Sequence, residues 1–404
     1  MAAALRLPPW SVLEMTVLMK KRFLTSLLFI SALCCLLLCG CGGNGELSGG
    51  SISSPSPSPS QSPAPSQDDV SASEAPGPAA PQVLCVNAPE DIQDELCLAM
   101  AQLCQPRAMD ISGLALEQPE LDVTNLYYEI LADRPELKYA YSIQVTVEGS
   151  LLNCSLSYMP YKTGEYPADF QGAEVRDLGQ LISLADDNLG SGSVPLRITD
   201  PSLEPDEMNK ALQQSGGGYF SCTLNQDATA IVFAPPLGMD AGDCLQALEE
   251  ADKLADSLIS QLISPDMGQE EKARALYSWL CSNVEYDQRY YSDRASMPYE
   301  SQTALGALRD GTAICGGYSH ALKLLFEKAG IPCFNVTGIY YGENHMWNIA
   351  QIDGRWLWFD ATSDRGSDGQ FGYLRFALEY LDEDKYQWDY SIVQALTGSG
   401  GSGE

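Results

Sequence analysis

Three residues of this chain stand in an order that supports nucleophilic chemistry. Cys315 lies in Gly311-Thr312-Ala313-Ile314-Cys315-Gly316-Gly317-Tyr318, His345 in Asn344-His345-Met346-Trp347-Asn348, and Asp360 ends Arg355-Trp356-Leu357-Trp358-Phe359-Asp360. Cys315 follows a Gly-containing turn and precedes an apolar-periodic stretch, Tyr318, Ala321, Leu322, Leu325 and Phe326. That places it at a helix N-terminus, where the positive end of the dipole favours a thiolate. A base must then be found. The chain holds two histidines, and His320 is on the same predicted helix as Cys315, rotated from it by roughly 140°, so it points away and leaves His345.

The elements that must position His345 and Asp360 follow from pairing. His345 to Gln351 and Arg355 to Asp360 read as strands, with Asp353-Gly354 between them as a two-residue hairpin turn. Pairing Ile352 with Arg355 sets Trp347 opposite Asp360 and His345 opposite Thr362, so His345 and Asp360 are diagonal neighbours, roughly 7 to 8 Å apart at the backbone. A carboxylate there holds the imidazole's tautomer while the other ring nitrogen faces the thiol. Each residue also has a plainer reading. Cysteine is often a small buried hydrophobe, and the chain has 13. Asp360 at a strand end also suits the capping of the turn that follows.

With these blocks in view, the chain resembles the bacterial transglutaminase-like superfamily. The resemblance runs from about Glu270 to Asp364. It begins with Tyr277-Ser278-Trp279-Leu280-Cys281-Ser282-Asn283-Val284-Glu285-Tyr286-Asp287 and continues through Thr303-Ala304-Leu305-Gly306-Ala307-Leu308 and Ala329-Gly330-Ile331-Pro332-Cys333. It implies an α+β fold, a papain-like core with a nucleophile helix packed on an antiparallel sheet. It also implies roles: Cys315 as nucleophile, His345 as general base and acid, Asp360 as orienting carboxylate. The backbone N–H of Cys315 is the expected first oxyanion donor. Gln302 or Tyr299, in Tyr299-Glu300-Ser301-Gln302-Thr303, is the nearest second, and Gln302 as a mere helix preface is an equal reading.

The rest of the chain sets the context. At 404 residues with 45% hydrophobic content, it exceeds one ordinary domain. Lys20-Lys21-Arg22, the apolar run Phe23 to Leu38, and Leu38-Cys39-Gly40-Cys41 read as an export signal over residues 1–40. The Leu-x-Gly-Cys ending resembles a lipobox, which implies cleavage before Cys41 and lipid attachment to its thiol; an uncleaved signal anchor is the other reading. Met1 and Met19 are both open as starts. Residues 41–83, rich in Pro, Ser and Gly, read as a tether that holds the globular part away from the membrane. A mixed region, 84–265, follows, then the transglutaminase-like region, 266–397, and a Gly/Ser tail, 398–404.

Within 84–265 the sequence predicts helices at Asp91 to Cys104 and Val123 to Ala132, then a hairpin, Leu137 to Val147 with Leu151 to Tyr158. A weaker copy follows: a helix from Glu204 to Gln214, then strands Tyr219 to Leu224 and Ala228 to Phe233. Helix then hairpin, twice, reads as a pseudo-repeat. The helix Asp243 to Leu262 carries Leu245, Leu248, Ala251, Leu254, Leu258 and Leu262 on one face and bridges the two regions.

A net charge of −31 argues against nucleic acid as partner. Outside the export segment, Cys41 and Cys315, the thiols Cys85, Cys97, Cys104, Cys154, Cys222, Cys244, Cys281 and Cys333 permit disulfides and equally suit buried thiols. Asp360, Asp364 and Asp368 lack the bidentate Glu of an EF-hand, so they read as an acidic loop in which Arg365 pairs with a carboxylate. Nothing else calls for a metal or organic cofactor. The expectation is a membrane-tethered extracellular cysteine enzyme acting on amide bonds of a protein or peptide, with the wall or a surface protein as target by location. Hydrolysis, cross-linking transfer to an amine, and a non-catalytic surface scaffold are the three functional readings.

Overall fold

The computed structural model describes residues 83–366 and 384–398; the export segment, Cys41, most of the tether and Asp368 lie outside the described residues. The described chain opens with β1 (Leu84–Cys85), α1 (Pro89–Gln102), β2 (Met109–Asp110), α2 (Pro119–Asp133), β3 (Ala140–Glu148) and β4 (Leu151–Tyr158). Proline at the first turn starts both helices, where its missing N–H costs nothing. The four strands form one sheet in the order β1-β2-β4-β3, parallel between β1 and β2 and antiparallel elsewhere. Leu96, Met100, Met109, Tyr127 and Leu152 fill its core. Glu95, 6% exposed, is held there by Arg107, whose Nη2 lies 2.6 Å from its carboxylate.

The next stretch repeats this plan. β5 (Ala173–Val175), α3 (Leu178–Asp186), β6 (Ser193–Ile198), α4 (Pro205–Leu212), β7 (Ser221–Leu224) and β8 (Ala230–Ala234) form a sheet in the order β5-β6-β8-β7. β5 and β6 are parallel, and the others antiparallel. Both units are therefore strand-helix-strand-helix-hairpin with the same strand order. Sequence patterning reveals only the second half of the second unit, because β5 has three residues and no hydrophobic period to read.

α5 (Ala241–Leu262) then bridges to the C-terminal region, with Asp240 accepting from the Gly242 N–H at 2.7 Å as its N-cap. Cys244 packs in the second unit's core, while Ala251, Ala255 and Leu258 pack in the C-terminal core. Of the expected apolar face, Leu245 departs: it is 39% exposed and covers Gly190.

The C-terminal region comprises α6 (Gln269–Asn283), β9 (Glu285–Tyr286), α7 (Ala304–Leu308), β10 (Thr312–Ala313), α8 (Cys315–Lys328), β11 (Cys333–Tyr340), β12 (Glu343–Ile352) and β13 (Arg355–Phe359). After these come a single turn, α9 (Ala361–Asp364), then β14 (Tyr386–Trp388) and α10 (Tyr390–Thr397). The main sheet has the order β13-β12-β11-β14, all antiparallel. The periodic residues of α8, Tyr318, Ala321, Leu322, Leu325 and Phe326, are all buried, in one core with Ala350, Ile352, Leu357 and Phe359 of the sheet and with α6. Val336, Trp347, Ile349 and Trp358 form a separate cluster with Val393 of α10. The fold is α+β, with the Cys315-bearing helix α8 packed on an antiparallel sheet. Cys85, Cys97, Cys104, Cys154, Cys222, Cys244 and Cys333 are thiols rather than disulfides.

Candidate active site

Cys315 is the first residue of α8, and Ile314 is its N-cap. The turn below is fixed by close backbone approach. An ideal Cβ at Gly317 would lie 2.6 Å from the Ser301 carbonyl oxygen and 2.8 Å from Ala313 Cβ, so only glycine fits there. Ile314 N–H donates to Ser301 O at 2.7 Å, and the Tyr318 hydroxyl donates to Val284 O. The Tyr286-Asp287 ending seen in the sequence also braces this turn. Asp287, 2% exposed, accepts from Arg289 Nε at 2.8 Å and from Ser301 Oγ at 2.6 Å. Those hydrogen bonds, Arg289 first, hold its carboxyl at about 2.

The hairpin turn is the expected one: Asp353 and Gly354 have φ of 48° and 79°, and Ile352 pairs with Arg355. The ladder then ends earlier than expected, at Asn348 and Phe359. Trp347 is not paired across from Asp360, because the chain leaves the sheet at Asp360 to enter α9. Asp360 caps that turn through Oδ1, which accepts from the Ser363 N–H at 3.1 Å, while Oδ2 lies 2.9 Å from His345 Nε2. Capping and orienting, alternatives in the sequence, are combined in one carboxylate.

His345 is hydrogen-bonded to Asp360, and Cys315 is near enough to act on the imidazole. With Nε2 turned to Asp360, Nδ1 is the ring nitrogen left for the thiol. The imidazole side chain is only 9% exposed, and it lies against the rings of Tyr340 and Trp347 at 5.1 and 5.8 Å. Burial alone would lower its pKa, but the hydrogen bonds and charge of Asp360 and Cys315 outweigh that and raise it to about 9. Those same interactions with His345 hold Asp360 below its ordinary value against the opposing pull of burial. The structure thus brings Cys315, His345 and Asp360 together.

Two sequence expectations need correction. The Tyr299 hydroxyl donates to Gly218 O at 2.6 Å, and its ring packs on Tyr219 in the second unit, so it is turned to structure rather than to the thiol. Arg365 covers the Tyr286 ring at 5.0 Å and donates to Thr362 O, whereas Asp364 accepts from the Tyr277 hydroxyl at 2.8 Å. Gln302 does lie beside the helix start: its carbonyl oxygen is 3.0 Å from an ideal Cβ at Gly316. His320 is directed away from Cys315, with Nδ1 3.2 Å from Asn335 Nδ2.

Sequence reasoning missed Tyr386. Its hydroxyl donates to Asp360 Oδ2 at 2.9 Å, and its ring packs on Tyr340 at 4.4 Å. Ser363 Oγ donates to the same oxygen at 2.7 Å. Aromatic rings also collect on either side of the pair. Tyr286, which feels the Cys315 charge, stacks on Tyr291 at 5.9 Å, and Tyr340 meets Tyr341 at 4.6 Å. The signal available in the sequence is the tyrosine density around 286–291 and 340–341.

Residues 256–361 match the family model of the Transglutaminase-like superfamily. Over 123 residues the chain is similar to the Kyphoscoliosis peptidase of Homo sapiens, at 27% identity, and to that of Mus musculus, at 26%. Each match covers 28% of this chain, and the chain spans 18% of the length of these curated relatives. Two solved structures overlap it in part. A TGase superposes with a TM-score of 0.27 and 16% identity over 47% of this chain and 55% of that one. A Cytophaga hutchinsonii protein, suggested to be a cysteine protease, gives 0.24 and 22% over 36% and 55%.

Proposed function

We propose that the chain is a cysteine enzyme that hydrolyses amide bonds of peptides through Cys315, His345 and Asp360. The observation that carries the reading is the imidazole of His345, hydrogen-bonded through Nε2 to Asp360 and acted on by Cys315. His345 holds the thiol's proton, and the sulfur attacks the amide carbon. The developing oxyanion is met by the Cys315 N–H, one of the helix's unsatisfied first-turn donors, with Gln302 as the second candidate. The C–N bond breaks as His345 gives its proton to the leaving amine, which leaves a thioester. Water then attacks the thioester, His345 takes its proton, and the carboxylic acid departs while the thiol is restored. Tyrosine rings on both sides of the pair suit an uncharged, extended peptide.

Location enters the same proposal. Export through residues 1–40 and lipid attachment at Cys41 would hold the domain on the outer face of the membrane, where wall or surface peptides are the available substrates. Replacement of Cys41 by Ala should then release the protein from the membrane fraction.

The test is intact-mass analysis of the full chain with a peptide library, with and without a primary amine, beside Cys315→Ala. Cys315-dependent thioester and cleaved or deamidated peptide are expected. Peptide joined to the amine as the main product would replace hydrolysis with transfer. Absence of any Cys315-dependent adduct or product, or full activity in His345→Ala, would overturn the reading in favour of a scaffold.

A further inference from the structure

Aromatic side chains link the two walls of the site. Tyr286, close enough to feel the charge of Cys315, stacks at 5.9 Å on Tyr291 of the short helical turn Arg289–Ser292. The Tyr291 hydroxyl donates to Glu343 Oε2 at 3.3 Å. Glu343 in turn pairs across the β11–β12 turn with Tyr340, whose ring lies 5.1 Å from that of His345. Arg365 covers the Tyr286 ring and Arg294 the Tyr290 ring, at 5.0 and 4.7 Å. Tyr291 and Tyr341 are the rings left open, 63% and 65% exposed.

Tyr341 is strained where it stands. With Gly342 it makes the two-residue turn between β11 and β12, at φ of 49° and 84°, a geometry that favours Asn, Asp or Gly in the first place. The next hairpin has nearly the same angles, 48° and 79°, and puts Asp353 there. A tyrosine in the left-handed region is destabilising, and nothing in the packing of Tyr341 offsets that. Its backbone N–H donates to Lys385 O at 3.0 Å, a bond that any residue but proline would make. Its ring meets Tyr340 at 4.6 Å and otherwise stays in water. What this residue supplies and an asparagine would not is an open aromatic face, one ring removed from His345.

We propose that Tyr341 and Tyr291 determine specificity by taking a planar aromatic side chain of the substrate peptide, next to the scissile amide, against their open faces. The assignment rests on the reading of Cys315 as the nucleophile for a peptide amide, and adds which peptides. A flat ring gains from both tyrosines by offset or edge-to-face packing, beyond what burial gives an aliphatic chain. Glu343 beside Tyr291 disfavours an acidic residue, and Arg365 and Arg294 on the adjacent rings disfavour a basic one.

The probes are acetylated, amidated alanine pentapeptides with phenylalanine, leucine, lysine or glutamate at the centre. Ligand-observed NMR titration into the full chain carrying Cys315→Ala reads binding without turnover. The phenylalanine peptide is expected to bind about tenfold tighter than the leucine peptide. Added to that background, Tyr341→Asn and Tyr291→Ala should each bring the two peptides level, and Tyr341→Asn should do so with a melting temperature held or raised, because asparagine suits the turn. Equal affinity for phenylalanine and leucine, tightest binding of lysine or glutamate, a preference undiminished in both variants, or no saturable binding would each overturn the assignment. Cleavage by the chain with Cys315 intact separates the two readings. Preferred binding of phenylalanine without cleavage keeps the aromatic subsite and removes the hydrolase, whereas cleavage of both peptides at equal kcat/KM keeps the hydrolase and removes the subsite.

Discussion

The Tyr386 hydroxyl donates to Asp360 Oδ2, the same carboxylate oxygen that His345 Nε2 meets, each at 2.9 Å. A strand 26 residues beyond Asp360 thus helps hold the carboxylate that holds the His345 imidazole. Tyr386→Phe keeps the ring on Tyr340 but removes that donor. The expected result is about a tenfold fall in kcat/KM, the usual worth of one hydrogen bond to a charged group. The acid limb of the pH profile should also move upward, because an Asp360 with one donor fewer is easier to protonate. An unchanged profile in the folded variant would show that Tyr386 only packs.

Folding stability should carry the signature of His345. Its pKa is 6.5 ordinarily and about 9 in the fold. A group raised in this way contributes fully below the unfolded value, and the contribution is lost as pH rises through the folded one. Stability should therefore decline between roughly pH 6.5 and 9, by about 3 kcal/mol at most. Asp360 is depressed, so its contribution is present above its ordinary 3.8 and lost on acidification. Denaturant melts from pH 5 to 10 on the full chain and on His345→Ala check this, since the variant should lack the alkaline decline.

Gly338 sits where β11 pairs with β14, and a Cβ there would lie 2.1 Å from Gln387 O and 2.8 Å from Trp347. Gly338→Ala must push β14 outward and carry Tyr386 off Asp360. A loss of about 1 to 3 kcal/mol in stability is expected, with activity at or below that of Tyr386→Phe. A variant that keeps both melting temperature and kcat/KM would contradict this register.

Asn335 ties the second N-terminal unit to the C-terminal core. Its backbone exchanges hydrogen bonds with the Gln214 side chain, at 2.9 and 2.7 Å, while its own side chain meets His320 and Asn348. Asn335→Ala leaves buried polar atoms unpaired and should cost about 2 to 3 kcal/mol. Asn335→Asp, which retains an acceptor for Asn348 but loses the donor to His320, should cost less. Equilibrium urea unfolding distinguishes the two.

Much of the site could be read from sequence because its parts are local. Asp353-Gly354 dictates a tight turn, the turn dictates Ile352 opposite Arg355, and that register puts His345 near Asp360. The apolar spacing after Cys315 dictates which face of α8 is buried. Tyr386 was out of reach because its position depends on β14 pairing with β11, a non-local contact with no turn to announce it. The first strands of both N-terminal units were hidden for a related reason: two or three residues show no period, and they become strands through a parallel partner supplied by the rest of the unit. Tyr299 misled because proximity in sequence to Cys315 says nothing about which neighbour the ring turns to.

The order of these parts along the chain has a consequence during synthesis. Cys315 leaves the ribosome first, His345 and Asp360 follow, and Tyr386 emerges about 70 residues after the thiol, a delay of roughly 4 to 14 s at ordinary elongation rates. Until His345 emerges, 30 residues after the thiol, the cysteine has no imidazole beside it, and until the sheet strands are complete it lacks the helix-on-sheet core, so over that first part of the interval it behaves as an ordinary nascent thiol. Whatever chemistry the finished site performs is thereby withheld from the unfinished chain and its neighbours.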